Sequence, residues 1–408
     1  MRILFTPSGT DGDVRPTSVL AEYFRQRGHD VLFCAPPNSL DFLKELGFIS
    51  YPLSMDYKEF STGIIREVLK NPSAKGKLFV SFIREDTAGQ FESIEKLVDK
   101  ADMIISSGLN FSAPSIAECY NKKFYHILHI PEALPTRYFP PMIAPCVEYP
   151  PFINQLLWKL NGNFFNYVVL KQVNQWREKH CLKPIKGVYE SITSKNIISA
   201  DADISRVGQD VQTHYHQTGY WHVHSAQAME TELLEFLDSG PKPIYLGFGS
   251  MAGNHEDTLI ECLPDLAQSL NIRFIICSGW GYKKLESLKY KNIYVTGFVP
   301  HSKLFPKVAA AIHHGAAGTT HAAALAGIPQ VLIPHRLDQF GWALKIEKKG
   351  LGPKAFNAIS FSRDKIYKVL NQLLSNQSYF SNAEILGEKL QGIDRTRELE
   401  ELYDWIMG

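Results

Sequence analysis

The chain lacks any long apolar run. None of its hydrophobic stretches, within 408 residues, approaches the ~20 residues that a membrane-spanning helix needs. The N-terminal segment MRILFTPSG becomes polar too early to act as a secretory signal peptide. From these two absences we expect a soluble, cytoplasmic protein with at most peripheral membrane contact.

An excess of one charge is also missing. The 43 basic residues nearly balance the 42 acidic ones, and the formal net charge is +1. Neither sign forms a long run, which argues against charged interaction tails. This balance excludes the strongly basic surface of a typical nucleic-acid-binding protein.

Cysteine pairs with metal-binding spacing are absent. The six cysteines are scattered without a CxxC motif, so we predict reduced thiols and a reducing compartment. Four histidines cluster in THYHQTGYWHVH, but no carboxylate or cysteine lies inside that cluster. We therefore predict neither a metal ion nor a bound cofactor.

What the chain does have is a repeated alternation of short apolar strands and helical segments. This alternation predicts an α/β fold with parallel sheets. A second series of strands and helices begins near Lys242, where another strand is followed by a glycine-rich turn. We therefore expect an N-terminal domain over residues 1–220, a linker over 221–241, a C-terminal domain over 242–390 and a final helix over 391–408.

Residues 131–170 differ from the rest because they are rich in proline and aromatic residues. Central parallel strands tolerate proline poorly, so we interpret this segment as a loop and a helix outside the sheet. Its aromatic side chains either line a lipophilic pocket or simply pack on the surface of the first half.

Two glycine-rich turns in the second half follow strands. GFGSMAG, from Gly247 to Gly253, resembles a dinucleotide-binding turn, but the next strand ends in ICSGW without the acidic residue that would hold a ribose. HHGAAGTT begins at His313, and a helix leaves it, so its backbone N–H groups would favour a phosphate. No lysine follows in the GxxxxGK[ST] pattern, which argues against an ATPase.

Two further positions each allow a structural and a functional interpretation. Asp338 and Gln339 follow a strand, where ligands bind in open α/β sheets, and they would suit sugar hydroxyls unless the loop is merely solvated. Asp13, in GTDGDVRP, precedes the first helix and is either its N-terminal cap or a general base.

Taken together, these segments resemble the family 1 nucleotide-sugar-dependent glycosyltransferases, which have the GT-B fold. The similarity spans nearly the whole chain and is closest to the bacterial antibiotic-aglycone branch and the sterol glycosyltransferases. The matching stretches are GTDGDVRP, PIYLGFGSM, VTGFVPHSKLF, IHHGAAGT and GIPQVLIPHRLDQFGWA. The resemblance implies two Rossmann-like parallel-sheet domains facing across a cleft, with the C-terminal helix packing back on the first domain.

The resemblance also implies roles for individual residues. Asp13 falls at the position of the catalytic base, and Asp338 and Gln339 fall where the family holds the donor sugar. The positions implied for the donor diphosphate are Ser250, His313, Gly315, Gly318 and Thr319. Those implied for the nucleotide base are Trp280, Phe298, Val299 and His301. For the acceptor, the aromatic segment offers Tyr138, Phe139 and Phe152.

The expected function is that of an inverting, metal-independent glycosyltransferase that moves a hexose to a hydroxyl of a lipophilic small molecule. Its expected co-substrate is UDP-glucose, with a dTDP-sugar as the other possibility, since His321 stands where plant relatives carry a ribose-binding glutamate. The alternatives are a catalytically silent relative that binds or activates a partner, a sugar-nucleotide epimerase and an oxidoreductase. The sequence leaves the oligomeric state open.

Overall fold

The computed structural model describes residues 1–57, 75–142, 144, 147–223, 227–249, 256–279, 284–285 and 288–408. The chain forms two compact units. Unit 1 contains residues 1–202, 206–223 and 395–408, and unit 2 contains 203–205 and 224–394.

Unit 1 is built on a seven-stranded sheet with the order β3-β2-β1-β4-β5-β6-β7. Every neighbouring pair in it is parallel. The strands are β1 Arg2–Ser8, β2 Asp30–Ala35, β3 Ile49–Pro52, β4 Met103–Gly108, β5 Lys123–Leu128, β6 Lys195–Ser199 and β7 His214–Thr218.

Helices cover both faces of this sheet. The helices are α1 Asp11–Gln26, α2 Leu40–Glu45, α3 Lys75–Val98, α4 Ala113–Cys119, α5 Pro151–Phe165, α6 Lys171–Lys179 and α7 Val188–Ile192. A π-helical turn, Asn166–Leu170, joins α5 to α6, and short 3₁₀ turns occupy Pro37–Ser39 and Pro131–Ala133.

Residues of β1 alternate between two hydrophobic cores, as expected of a strand buried on both faces. Leu4 belongs to the core that includes α3 and α5, and Phe5 to the core that includes α1. The C-terminal helix α15, Arg395–Met407, adds Leu402 and Ile406 to the second of these cores. This confirms the prediction that the last helix packs on the first domain.

Unit 2 is built on a five-stranded parallel sheet with the order β10-β9-β8-β11-β12. Its strands are β8 Ile244–Gly247, β9 Phe274–Cys277, β10 Ile293–Thr296, β11 Ala310–His313 and β12 Gln330–Leu332. Its helices are α8 Thr231–Asp238, α9 Glu256–Ser269, α10 His301–Leu304, α11 Ala317–Leu325, α12 Gln339–Lys348, α13 Arg363–Ser375 and α14 Gln377–Gln391. Short 3₁₀ turns lie at Phe305–Lys307 and Ala358–Ser360.

The segment 221–241, predicted as a linker, contains α8. Leu233 and Leu237 of that helix are buried in a core of unit 2. The end of this segment is thus an integral part of unit 2. The domain boundaries themselves stay a prediction.

Each sheet has one point at which the strand order reverses. In unit 1 the chain runs from β1 outward to β2 and later returns to place β4 on the other side of β1. In unit 2, β8 lies between β9 and β11 in the same way. Ligands of open α/β sheets bind beyond the carboxyl ends of the strands at such points. The turns after β1, β8 and β11 are therefore where the structure favours binding sites.

The α/β architecture with parallel sheets that the sequence predicted is confirmed. The first helix begins at Asp11, so Asp13, which was predicted to precede the helix, lies in its first turn, where it forms a capping box with Thr10. Among the described residues, no helix is long and apolar enough to cross a membrane.

Candidate functional site

The turn after β1 holds Asp13 in a defined position. The Asp13 carboxylate accepts a hydrogen bond from the backbone N–H of Thr10 at 3.0 Å, and the Thr10 hydroxyl accepts one from Gly12 at 3.3 Å. A Cβ atom on Gly9 would lie 2.0 Å from a carboxylate oxygen of Asp13, so only glycine fits there. Asp13 is half-buried and therefore keeps access to solvent while it caps the helix.

Beneath this turn lies a buried polar network that the sequence did not reveal. The Tyr57 hydroxyl donates to the Asp86 carboxylate at 2.7 Å and is 2.7 Å from the hydroxyl of Ser8, the last residue of β1. The side-chain amide of Gln90 donates to the same carboxylate oxygen at 2.7 Å. These side chains come from three separate segments, so no local motif could have indicated the network. It fixes the end of the strand that leads into Asp13.

Burial dominates the electrostatics of this network. It raises the pKa of Asp86 above its usual value and raises the pKa of Tyr57 further above its own. A nearby negative charge on Asp13 also contributes to raising the pKa of Tyr57. Tyr57 therefore stays protonated and acts as a hydrogen-bond donor to Asp86.

In unit 2, His313 at the end of β11 uses both of its ring nitrogens inside the fold. The Gly315 backbone N–H donates to Nδ1 at 3.0 Å, which requires that nitrogen to be unprotonated. Nε2 must then carry the proton and donate to the side-chain oxygen of Gln330, 2.9 Å away. Burial lowers the pKa of His313 to about 4, consistent with this neutral form. In this geometry His313 shapes the glycine turn rather than presenting a donor to a phosphate.

His314 differs from His313 in its hydrogen bonding. Its side chain is only 6% exposed, yet no hydrogen-bond partner for Nδ1 exists among the residues that the structure describes. Its ring lies against the turn after β8, since a Cβ on Gly249 would be 3.3 Å from Cε1. Burial lowers the pKa of His314 well below its usual value, and the neighbouring His313, His335 and Arg336 lower it further. A buried ring nitrogen at the switch point that has no partner in the described part of the chain is suited to hydrogen-bond a ligand.

The elbow after His314 leads into α11 and requires glycine. Gly315 has a φ of +91°, and a Cβ there would lie 3.0 Å from Leu332 and 3.1 Å from the carbonyl oxygen of Gln339. Ala316, at the N-terminal cap position of α11, has no side chain that could cap the helix, whose first turn contains Gly318 and Thr319. Its first N–H groups and the positive end of the helix dipole therefore favour an anion.

Asp338 and Gln339, the two residues predicted to hold the donor sugar, lie in different environments. Gln339 is 4% exposed, and its side-chain oxygen accepts the backbone N–H groups of His335 at 2.8 Å and Arg336 at 3.1 Å. Asp338 is half-buried and stands at the N-terminal cap position of α12. The Gln339 oxygen therefore shapes the turn, and Asp338 is the better placed of the two to meet a ligand.

Of the three described residues predicted to contact the nucleotide base, only Phe298 has a largely exposed side chain, at 58%. Val299 is packed in a core of unit 2. His301 stacks on Phe305 with ring centroids 4.3 Å apart, and its Nε2 lies 3.2 Å from the hydroxyl of Tyr245. Burial lowers the pKa of His301 to about 3. Among these described residues Phe298 is thus the most exposed to a ligand, whereas the His301 ring packs against Phe305 and Tyr245.

Two of the predicted donor-site residues, Ser250 and Trp280, lie outside the described residues. His321, proposed as the ribose position, is completely buried and its ring contacts Trp342 at a centroid distance of 4.8 Å. Within the described ranges, no group of three or more His, Cys, Asp and Glu residues could hold a metal ion.

The predicted acceptor residues lie on the excursion between β5 and α6. Tyr138 is 44% exposed and Phe152 67% exposed, whereas Phe139 is half-buried. Two hydrogen bonds attach the loop to α5: the Asn154 amide donates to the Arg137 carbonyl at 2.9 Å, and the Trp158 indole donates to the Phe139 carbonyl at 2.9 Å. The exposed aromatics are therefore held on an ordered scaffold.

Comparison with known structures identifies the fold class. The spinosyn forosaminyltransferase SpnP superimposes with a TM-score of 0.71 at 16% identity, over 100% of both chains. The two parallel-sheet units are thus those of the GT-B fold.

Sequence comparison then identifies the family. Glycosyltransferase GtfE of Amycolatopsis orientalis is 30% identical over 360 residues, which are 86% of this chain and 85% of that protein. The vancomycin aglycone glucosyltransferase of the same organism is 29% identical with the same coverage. Sterol 3-beta-glucosyltransferase UGT80A2 of Arabidopsis thaliana is 28% identical over 97% of this chain and 64% of its own length. The family model of the erythromycin biosynthesis protein CIII-like C-terminal domain matches residues 281–393. The chain belongs to the family 1 nucleotide-sugar-dependent glycosyltransferases.

Proposed function

We propose that the protein transfers a hexose from a nucleoside diphosphate sugar to a hydroxyl group of a lipophilic small molecule, with inversion at the anomeric carbon. The observation that carries this proposal is the glycine elbow of unit 2. There α11 begins after Ala316, which has no side chain that could cap the helix, and Nδ1 of the buried His314 has no hydrogen-bond partner among the described residues. Both features favour a diphosphate group.

In this proposal the leaving diphosphate is bound by the first N–H groups of α11, around Gly318 and Thr319. The neutral His314 donates a further hydrogen bond, and His313 keeps Gly315 in place through its Nδ1. Preorganised donors of this kind stabilise the negative charge that develops on a leaving group. UDP-glucose is our preferred donor, and Asp338 would bind its sugar hydroxyls.

Asp13 is the proposed general base. The acceptor oxygen forms its bond to the anomeric carbon while the bond to the diphosphate oxygen breaks, and the hydroxyl proton passes to the Asp13 carboxylate. An unperturbed aspartate has a pKa of about 3.9 and is a weak base. It suffices when the proton leaves late, because the acceptor oxygen becomes strongly acidic as its new bond forms.

A lipophilic acceptor is supported by two independent facts. The names of relatives refer to an antibiotic aglycone and to a sterol. In the chain itself, the segment between β5 and α6 exposes Tyr138 and Phe152 on an ordered scaffold. Binding sites for small molecules are mostly apolar, with a few polar groups for orientation.

The competing functions within the same fold are a silent relative that binds a partner and a sugar-nucleotide epimerase. Calorimetry with UDP and dTDP first tests for the donor site, and mass spectrometry of a donor incubated with a lipophilic alcohol tests for transfer. Donor binding without a hexosylated product, across a broad acceptor panel, would favour the silent relative. An isomerised sugar nucleotide without acceptor would favour the epimerase.

A further inference from the structure

Helix α5 exposes apolar side chains on the side that faces away from its core. Phe152, Leu156 and Leu160 are 67%, 52% and 53% exposed, and they are spaced four residues apart. This spacing places them in one line along two turns of the helix, which we call the α5 stripe. The other side of the same helix packs Trp158 and Phe165 into unit 1.

A helix on the surface of a soluble protein normally carries polar residues on its outer face. The outer face of α5 instead carries apolar residues, Phe152, Leu156 and Leu160, between the exposed polar residues Gln155, Lys159 and Asn163. The apolar residues among them suit a surface made for contact. Beyond the π-helical turn, Tyr167 extends the apolar face with an exposure of 75%. At the other end, Tyr138 is 44% exposed in the loop that Asn154 attaches to α5.

Between Tyr149 and Arg177 the charged side chains of the chain have only one sign. No aspartate or glutamate occurs between Glu148 and Glu178, although the whole chain is nearly neutral. Lys159 and Lys171 are exposed, and no acidic partner for either is found in the part of the chain that the structure describes. The acidic Glu190 approaches the helix at Gly162, which is on its buried side.

We propose that the α5 stripe docks on the surface of an anionic lipid bilayer. Apolar side chains would enter the boundary between headgroups and acyl chains, while Lys159 and Lys171 would contact lipid phosphates. Tyr138 and Tyr167 have an apolar ring and a polar hydroxyl, which suits the edge of such a contact. This inference rests on the proposed function in one respect: a docked enzyme takes its lipophilic acceptor directly from the bilayer.

The proposal is tested by flotation of the purified full chain with vesicles, without donor or acceptor. Neutral phosphatidylcholine vesicles are compared with vesicles that also contain phosphatidylglycerol. We expect binding to the anionic vesicles that weakens as salt is raised. The double variant Leu156→Ser/Leu160→Ser should bind at least about tenfold more weakly.

A matched control removes two apolar side chains elsewhere that are more exposed than Leu156 and Leu160. Ile359 and Ile385 are 86% and 65% exposed in unit 2, so Ile359→Ser/Ile385→Ser should bind vesicles like the wild type. The charge variant Lys159→Glu/Lys171→Glu should lose its preference for anionic vesicles, and thermal unfolding shows that each variant is folded.

Three outcomes would overturn the proposal: wild-type protein that does not float with anionic vesicles, equal binding by the stripe and control variants, or a concentration-dependent dimer that only the stripe variant abolishes. The last outcome would make a second copy of the chain the occupant. Because flotation needs no sugar nucleotide, failure here is distinct from failure of the proposed glycosyl transfer.

Discussion

Replacing Asp13 separates its role in the capping box from its proposed role as the general base, because asparagine can perform the first and not the second. In Asp13→Asn the side-chain oxygen still accepts the Thr10 N–H bond that measures 3.0 Å in the structure. The lost negative charge near the helix N-terminus should cost about 0.3–1 kcal/mol of unfolding free energy. The lost base should lower kcat by about 10²–10⁴-fold, which corresponds to about 2.7–5.4 kcal/mol in the activation barrier.

Thr10→Ala is the matched control, since it removes the cap hydroxyl and keeps the carboxylate. It should cost about 0.5–2 kcal/mol of stability and leave most of the turnover. Chemical denaturation measures the first quantity, and initial rates at saturating donor and acceptor measure the second. Calorimetry should show the same donor affinity for Asp13→Asn as for the wild type. The reasoning is refuted if Asp13→Asn keeps more than about a third of wild-type turnover, because Asp13 would then be only a helix cap.

Three further predictions follow from the geometry of unit 2 and from burial. His314→Ala should weaken nucleoside diphosphate binding by about ten- to a hundredfold in calorimetry, and unchanged affinity would assign that histidine to the core. Gln330→Leu leaves the buried Nε2–H of His313 without an acceptor, so it should mainly cost about 1–3 kcal/mol of unfolding free energy. Burial lowers the pKa of His126 to about 3 and that of His313 to about 4, from 6.5. Because the unfolded chain then takes up protons that the folded chain does not, the free energy of unfolding should be fully present above pH 6.5 and decrease toward pH 4. Denaturation measures this quantity, and a constant free energy of unfolding across this range would contradict the prediction. Turnover should survive EDTA, because in the proposed mechanism the first N–H groups of α11 and His314 stabilise the leaving group. A loss of turnover that Mg²⁺ or Mn²⁺ restores would contradict the metal-independent mechanism.

The sequence predicted the fold well because its strands are short apolar runs that end in glycine-rich turns. The parallel sheets and the position of the elbow at Gly315 follow from this local pattern. The roles of His313 and His314 did not follow from it, since they depend on Gln330 and Gly249, which lie on other strands and turns. The sequence also could not predict the network of Ser8, Tyr57 and Asp86, because these residues are far apart in the chain.

Helix α5 shows a second limit of sequence reasoning. Its composition predicted an apolar excursion, but composition does not determine which side chains face the core. Trp158 is buried, and Leu156, two residues earlier, is half exposed. Only the packed structure distinguishes the side that stabilises unit 1 from the side that is available for contact.

The most direct test of the account is product analysis with the purified protein. UDP-glucose and dTDP-glucose would each be incubated with a sterol, a polyphenol and a macrocyclic alcohol, and with free sugars as hydrophilic competitors. We predict a hexosylated lipophilic product, detected by mass spectrometry, whose anomeric configuration in proton NMR is opposite to that of the donor. A product with retained configuration, or free sugars glycosylated at higher kcat/KM than every lipophilic alcohol, would contradict the proposed function.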